Sequence, residues 1–206
     1  MAARGSWPSI QKHGLLSTSS LLDLFEVGGA RRVQLEENHR PHTEEIVHEK
    51  CGRASIRDQK PMSDAGLVRA LRDGLSPREW YKILNSQVFF WTSQERLQTL
   101  LRARAYANDE HDVLIVDTKP LVEVYANTIF LCPMNSGATT PFAHPRGKDT
   151  FLEIGNYPWD TWRKKRGVAD AIVEVAVRDG VPNTSKLVLR VQRMKKDKVL
   201  KVIFEK

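Results

Sequence analysis

A single carboxylate interrupts an otherwise apolar segment of the sequence, AIVEVAV at residues 171–177. A run this apolar is typical of a strand that is buried on both faces. The alternation of a strand puts Glu174 on one face with Ile172 and Ala176. Because an unpaired buried carboxylate costs several kcal/mol, the segment predicts a functional acid in a cleft. The alternative is an edge strand whose Glu174 faces water.

The composition favours a single domain, residues 1–206. A chain of 206 residues, 41% of them hydrophobic, can bury a core without disulfides or a metal. Cys51 and Cys132 show no CxxC or Cys/His spacing, which predicts reduced thiols and no zinc site. His39, His42 and His48 are expected in solvated loops rather than at a metal. No segment approaches the roughly 20 apolar residues of a membrane span, and no signal-peptide pattern opens the chain. The sequence therefore predicts a soluble, cytoplasmic protein.

The charge is uneven along the chain. The formal net charge is +7, and much of the excess lies in the last quarter of the sequence. The basic residues there include Arg163, Lys164, Lys165, Arg166, Lys186, Arg190, Arg193, Lys195, Lys196, Lys198 and Lys201. This basic C-terminal region predicts a polyanionic partner such as nucleic acid or, with equal weight, a solvated basic surface.

Capping residues and apolar spacing predict helices before strands. Helices are predicted after Ser6, around residues 21–25, from residue 63 or 64 to Gly74, after Ser76, after Thr92 and around Trp159. Strands are predicted at residues 87–91, 112–116, 128–132, 171–178, 187–191 and 199–204, with a hairpin tip at 195–198. Residues 31–60 are predicted to be irregular, with at most one strand at 54–56. This order predicts the α+β class.

The sequence contains no Walker A loop, GxGxxG, GxSxG or HExxH motif, which excludes the commonest phosphate, dinucleotide, hydrolase and zincin sites. What remains is an ordered set of short motifs, each weak by itself. The set consists of HGLLST at residues 13–18, RDQ at 57–59, VFFW at 88–91, NSG at 135–137 and Glu174.

Over most of its length the sequence closely resembles a bacterial family of unknown function. The segments that carry this resemblance are WPSIQKHGLLST at 7–18, IRDQKPM at 56–62, VFFW at 88–91, ERL at 95–97 and RAY at 104–106. More distantly, it resembles the DarT-type DNA ADP-ribosyltransferases. That likeness lies in the SIxxxGLLS opening, the VFF strand, the turn at Asn135 and the closing acidic strand before Val181 and Pro182. The acidic strand is its most specific element.

This resemblance implies the ADP-ribosyltransferase fold, a split mixed β-sheet with N-terminal helices that grips NAD, as a substrate, in a cleft. It implies an NAD-dependent ADP-ribosyltransferase that modifies nucleic acid or another macromolecule, with Glu174 as the catalytic residue. The carboxylate would hold the nicotinamide ribose hydroxyls while the glycosidic bond breaks. It would then accept a proton from the acceptor.

The same resemblance implies further residues that contact NAD. An arginine is expected to clamp the NAD phosphate, and Arg57 is the first candidate because a guanidinium can bind two phosphate oxygens at once. Arg53 is its rival, and a local surface pair of Arg57 with Asp58 is the alternative. The remaining cofactor-binding candidates are His13, Ser17 and Asn135.

One part of the superfamily pattern is missing from the sequence. Members usually carry a His or Arg on a first strand before the SIxxxGLLS helix, where it contacts the NAD ribose. Only MAARGS precedes that helix here. The domain is therefore predicted to lack the first strand, either because the strand lies upstream of the given sequence or because the contact has been lost. His13 lies beside Gly14 at a helix end, where a structural or capping role is the alternative to NAD binding.

Two other functions remain open from the sequence. An RNA 2′-phosphotransferase would share the fold and use NAD, but it needs several basic phosphate ligands. The candidates for those ligands, which show no defined spacing, are Arg31, Arg32, Arg53 and Arg57. A catalytically inactive module that binds nucleic acid or protein would instead use the basic C-terminal region, and Glu174 would then have no chemical role.

Overall fold

The computed structural model describes residues 1–206, and the α+β class predicted from the sequence is confirmed. The α-helices are α1 (Trp7–His13), α2 (Thr18–Leu24), α3 (Gly29–Glu37), α4 (Asp64–Ala70), α5 (Pro77–Asn85), α6 (Gln94–Arg102), α7 (Thr118–Tyr125), α8 (Trp159–Arg166) and α9 (Thr184–Leu187). The strands are β1 (Ala2–Ala3), β2 (Leu15–Leu16), β3 (Glu44–His48), β4 (Gly52–Ile56), β5 (Gln87–Trp91), β6 (His111–Val116), β7 (Ile129–Cys132), β8 (Leu152–Glu153), β9 (Glu174–Arg178), β10 (Gly180–Val181), β11 (Val188–Lys195) and β12 (Lys198–Glu205). None of the helices combines the length and the apolar character that crossing a membrane requires.

Two four-stranded sheets form the centre of the fold. Sheet A has the strand order β1-β6-β11-β12, and sheet B has the order β5-β9-β7-β8. All pairings in both sheets are antiparallel, so the expected mixed sheet is not found. Antiparallel neighbours can be joined by short connections such as the β11–β12 hairpin, whereas parallel neighbours need a long crossover. The only parallel pairing is an isolated bridge between Leu71 and Arg146.

Sheet B is covered on both faces. On one face, Ile129 and Val177 pack with Leu121 of α7. On the other face, Phe89 packs against Trp80 of α5. A fully buried side chain of this size contributes roughly 1.5–3 kcal/mol, so the sheet is held from both sides. Strand β9 lies inside this sheet, between β5 and β7.

Most helix starts lie within about one residue of the capping signals in the sequence, but α4 ends at Ala70 and not at the predicted Gly74. The predicted capping box of α5 is confirmed, because Ser76 Oγ accepts from Glu79 N at 3.3 Å and Glu79 Oε2 accepts from Ser76 N at 2.8 Å. The N-cap of α6 is Ser93 rather than Thr92. The N-cap of α2 is Ser17, one residue before the predicted caps.

Residues 29–56 differ most from the prediction. They form α3 and the β3–β4 hairpin, whereas an irregular segment is the prediction for most of this region. The one strand predicted there, at residues 54–56, is confirmed as part of β4. Leu35 and Ile46 pack there with Leu22 and Phe25 of α2 in a small separate core. Helix α3 leaves Val33 42% exposed and is mostly polar, so it lacks a clear apolar stripe. Its tertiary contacts override a weak local signal. Helix α7 was likewise not predicted.

The N-terminal residues also correct a prediction. A strand was not expected before α1, yet Ala2–Ala3 forms β1 and pairs with Asp112 and His111 at the edge of sheet A. Gly5 N donates to Asp112 Oδ2 at 2.8 Å, which fixes the connection into α1. Two residues are sufficient because β6 provides the pairing partner. Neither residue of β1 is the His or Arg of the superfamily pattern.

Strand β12 forms the other edge of sheet A. Its pairing with β11 contains two register shifts, one between Val191 and Gln192 and one between Arg193 and Met194. Such shifts leave an extra residue in one strand and increase the local twist. The outer edge of sheet A is therefore irregular.

Candidate active site

A cleft of about 1540 Å³ is lined by residues of both sheets. Strands β6 and β11 contribute from sheet A, and β5 and β9 contribute from sheet B. The segment before α4 and the loop after β7 complete the wall. Cavities that bind small molecules are commonly about 300–1,000 Å³, so this cleft has room for a ligand as large as a dinucleotide.

Glu174 is the first residue of β9 and lies between Trp91 of β5 and Cys132 of β7. It is only 4% exposed and lines the cleft. The alternative prediction of an edge strand with Glu174 in water is therefore wrong. The predicted strand began at residue 171, but the ladder begins at Glu174, so the carboxylate lies where the strand opens towards the loop after β7.

Ser136 holds one oxygen of the Glu174 carboxylate. Oε2 accepts from Ser136 N at 3.1 Å and from Ser136 Oγ at 2.7 Å. Oε1 makes no hydrogen bond within the protein, and it is not fully enclosed. The side chain is thus fixed through one oxygen, and the other oxygen is free for a ligand in the cleft.

The surroundings of Glu174 disfavour its charge. Burial raises the pKa of Glu174 to about 7, against the hydrogen bonds from Ser136 and the positive charges of Arg146 and Arg96, which lower it. The neighbouring Cys132 thiol has a raised pKa because it is buried and lies near Glu174, so it is an unreactive neutral thiol. A buried carboxyl group that titrates near neutrality is typical of a functional acid or base.

Arg57 also lines the cleft, half-buried, and forms no ion pair within 4.0 Å. Its Nη1 lies 3.3 Å from His111 Nδ1, and its guanidinium lies 5.2 Å from the ring centre of Tyr106. Burial and Arg57 lower the pKa of His111, which keeps this neighbour neutral. Arg57 therefore has no direct ion-pair partner in the cleft, although its charge also acts on Asp58, whose pKa it lowers.

Arg57 and Asp58 form no ion pair within 4.0 Å, although the charge of Arg57 lowers the pKa of Asp58. Asp58 Oδ1 accepts instead from the Tyr106 hydroxyl at 2.7 Å, and Lys60 lies 3.8 Å from Oδ2. The rival candidate, Arg53, lines the cleft as well but is exposed and pairs with Glu45 at 3.0 Å. Of the two arginines, Arg57 is the one available to an anion.

The other three candidate residues have different environments. His13 is half-buried in the last turn of α1 and lines the cleft. Ser17 is 1% exposed and does not line the cleft, and its hydroxyl caps α2 by accepting from Ser20 N at 3.1 Å. Asn135 is exposed at the cleft wall, where its Oδ1 accepts from Gly137 N at 3.1 Å. The structure thus brings His13, Asn135, Arg57 and Glu174 to one cleft and leaves Ser17 out.

Several residues of the site were not selected from the sequence. Ser136 holds Glu174, Tyr106 and His111 surround Arg57, and Arg146 bonds the loop that carries Ser136. The turn motif NSG contains Ser136 but also describes any tight turn. The segment RAY at residues 104–106 contains Tyr106 but gives it no role. His111 and Arg146 depend on contacts between segments far apart in sequence.

The basic C-terminal region is divided between two elements. On α8, the Arg166 guanidinium lies 4.4 Å from the ring centre of Trp162 and donates to Pro133 O. On β11, Arg190 and Arg193 are paired with Glu205 and Asp112. The lysines of the β11–β12 hairpin, which are exposed and without ion pairs, are Lys195, Lys196, Lys198 and Lys201.

Comparison with known families gives one match, a model of the family of unknown function DUF7002, over residues 1–188. The chain belongs to this family. Neither the curated proteins nor the solved structures include a match.

Proposed function

We propose that this member of the family is an NAD-consuming ADP-ribosyltransferase in which Glu174 is the catalytic residue. One observation carries the proposal: a buried carboxylate, fixed through one oxygen and free at the other, faces a large cleft. The resemblance of the motif order to DarT-type enzymes supports the choice of NAD. The positive charge of Arg57, which forms no direct ion pair in the same cleft, supports an anionic ligand.

The reaction needs little from the protein besides charge and position. The bond between ribose C1′ and the nicotinamide nitrogen breaks, and its electron pair leaves with the nicotinamide. The ribose then carries positive charge, and a carboxylate beside it stabilises that charge by about 3 kcal/mol. The acceptor nucleophile bonds to C1′ and passes its proton to Glu174. Oε1 is the oxygen available for this contact.

The titration of Glu174 suits this role. In the empty cleft its pKa of about 7 leaves the carboxyl group divided between both forms at neutral pH. The positively charged nicotinamide ring of NAD favours the ionised form, so binding lowers the pKa of Glu174. When neutral nicotinamide leaves, the positive charge stays on the ribose. It passes to the acceptor atom that bonds to C1′, which makes the acceptor's proton acidic as that proton is transferred to Glu174.

Arg57 is proposed to bind the NAD diphosphate. A half-buried guanidinium without a carboxylate partner gains more from an anion than one that is already paired, because no ion pair must be broken first. Stacking against Tyr106 restricts its motion, which reduces the entropy that binding would cost. His13 and Asn135, which also line the cleft, are proposed to contact the nucleotide.

Nucleic acid is the proposed acceptor, and the support for it is electrostatic. The net charge of +7 and the exposed basic residues of α8 and the β11–β12 hairpin favour a polyanion. Because these basic residues lie on two elements, a nucleic-acid strand could contact either α8 or the hairpin.

The decisive experiment uses NAD labelled on its adenylate phosphate, incubated with the full chain and with single-stranded DNA, duplex DNA, RNA or mixed proteins. We expect nicotinamide release and transfer of label to a nucleic acid. Glu174→Gln should reduce both by a factor on the order of 10² or more. Glu123→Gln is the control, since Glu123 is exposed on α7.

The other outcomes identify the alternatives. Removal of a 2′-phosphate from RNA in an NAD-dependent reaction would make the protein a phosphotransferase. Salt-sensitive binding of nucleic acid without any NAD consumption would make it a binding module, and the proposed activity would then be wrong.

A further inference from the structure

Arg146 is a buried cation for which the proposed reaction has no direct use. It is 1% exposed and follows the loop after β7, with its guanidinium 5.8 Å from the ring centre of Trp80. It forms no ion pair within 4.0 Å. A buried charge without a counter-ion is expensive unless every donor is used, so this residue requires an explanation.

Each of the three guanidinium nitrogens of Arg146 donates a hydrogen bond to the same loop. Nη1 donates to Ser136 O at 2.7 Å, Nη2 donates to Ala138 O at 2.7 Å and Nε donates to His144 O at 3.0 Å. The backbone of Arg146 is itself fixed to α4, because its N–H donates to Ala70 O at 2.9 Å. One planar side chain therefore fixes three carbonyl groups of the loop relative to α4.

The first of these carbonyls belongs to the residue that holds Glu174. Ser136 accepts from Arg146 through its carbonyl oxygen, and it donates to Glu174 Oε2 through both N–H and Oγ. The guanidinium and the carboxylate thus lie on opposite sides of a single residue. A displacement of Ser136 would release Oε2, and Glu174 would lose its only hydrogen bonds in the protein.

We propose that Arg146 is the positioning residue for Glu174, acting through Ser136 on the orientation of the carboxylate and through its charge on the stability of the ionised form. The proposal deepens the proposed function and rests on it for the role of Glu174. Neutral hydrogen-bond donors could hold the loop, but only a cation also favours the carboxylate across Ser136. This explains why an arginine, which keeps its charge when buried, occupies the position.

The charged and titratable groups that act on Glu174 come from three sides. Arg146 lies beyond the loop, Arg96 lies on α6, and Cys132 is its neighbour on β7. Burial raises the pKa of the Glu174 carboxyl group, while the Ser136 hydrogen bonds and the charges of Arg146 and Arg96 lower it. Arg96 is already paired with Asp170. Arg146 is therefore the cation whose charge is free to act on Glu174.

The test measures the ionisation of Glu174 directly, by carboxyl carbon NMR titration of the full-length protein, and does not depend on NAD turnover. In Arg146→Met, we expect the titration midpoint of Glu174 to rise by about one pH unit or more. In Arg146→Lys, which keeps the charge but loses the planar fork, the midpoint should rise less. Ser136→Ala removes only one hydroxyl donor and should also raise the titration midpoint of Glu174. This variant can still be measured if Arg146→Met does not fold. Arg72→Met, at an exposed neighbouring site, is the control and should leave the midpoint unchanged.

The enzymatic activity of the same variants is a second measurement. Arg146→Lys should lower kcat for nicotinamide release more than it changes KM, because NAD binding is intact while the carboxylate is misdirected. An unchanged Glu174 midpoint in Arg146→Met and Ser136→Ala would overturn the inference, whatever the activity. Absence of NAD cleavage in the wild-type protein, together with the expected midpoint shifts, would instead overturn the proposed function and leave the coupling of Arg146 to Glu174 intact.

Discussion

Charged residues occur both around Glu174 and on the β11–β12 hairpin, but in opposite environments. Glu174 and Arg146 are buried, and each hydrogen bond of their side chains can be named. On the hairpin, charges are many and exposed, and its lysines have no carboxylate partner. Solvation makes an exposed charge inexpensive, whereas a buried charge needs specific partners. The position of a charge is therefore more informative about function than the net charge of +7.

Of the changes expected in the two regions, neutralising Glu174 should have the largest effect on the free energy of unfolding. Its pKa of about 7 in the folded chain lies above its usual value of 4.5, so folding loses stability as pH rises between these values. Glu174→Gln should raise the free energy of unfolding by up to about 3 kcal/mol at pH 8 and leave it unchanged at pH 4. Urea unfolding at both pH values measures this. Lower stability of the variant at pH 8, or a gain equal at both pH values, would contradict the burial cost assigned to Glu174.

A smaller but still large effect is expected at Arg57. Arg57→Ala should weaken NAD binding roughly 10- to 100-fold, since a hydrogen bond to a charged group is worth about 1.5–3 kcal/mol. Arg53→Ala is the matched control, because Arg53 is exposed and already paired with Glu45. It should change the affinity less than about twofold. Calorimetry with NAD measures the affinity of both variants. An equal loss of affinity in the two would show that the cleft attracts NAD only through its overall electrostatic field.

The smallest effect on stability should come from the hairpin. Replacing Lys195, Lys196, Lys198 and Lys201 together by Gln should alter the free energy of unfolding by less than about 0.5 kcal/mol, because exposed residues without partners contribute little. The same variant should reduce the slope of log affinity against log salt for single-stranded DNA by about 0.7 for each lysine that neutralises a phosphate. An unchanged slope would remove the hairpin from the nucleic-acid surface and leave α8 as the remaining basic element.

The parts of the fold that could be predicted are those with strong local signals. The capping box at Ser76, the apolar strands of sheet B and the β11–β12 hairpin each have a pattern that spans only a few residues. Glu174 could be selected because a carboxylate in an apolar strand conflicts with its surroundings. Such conflicts between a residue and its local pattern are where functional sites are expected.

The remaining parts depend on contacts that the sequence does not show. Helix α3 is stabilised by burial of Leu35 against α2, although its own pattern is mostly polar. Arg146 is one of many arginines in the sequence, and only folding brings its side chain to the carbonyl of Ser136. The same holds for Tyr106, which meets Asp58 across 48 residues. Position in space, not residue type, distinguishes these residues.

The irregular outer edge of sheet A has a consequence for how the protein behaves at high concentration. A long exposed edge strand can add a strand from another chain, which is a common start of aggregation. The two register shifts between β11 and β12 twist this edge away from a flat template, and exposed Lys198 and Lys201 repel a second copy. Part of the excess positive charge of the C-terminal region therefore disfavours pairing of the sheet edge with a strand of a second copy. This effect does not depend on any ligand.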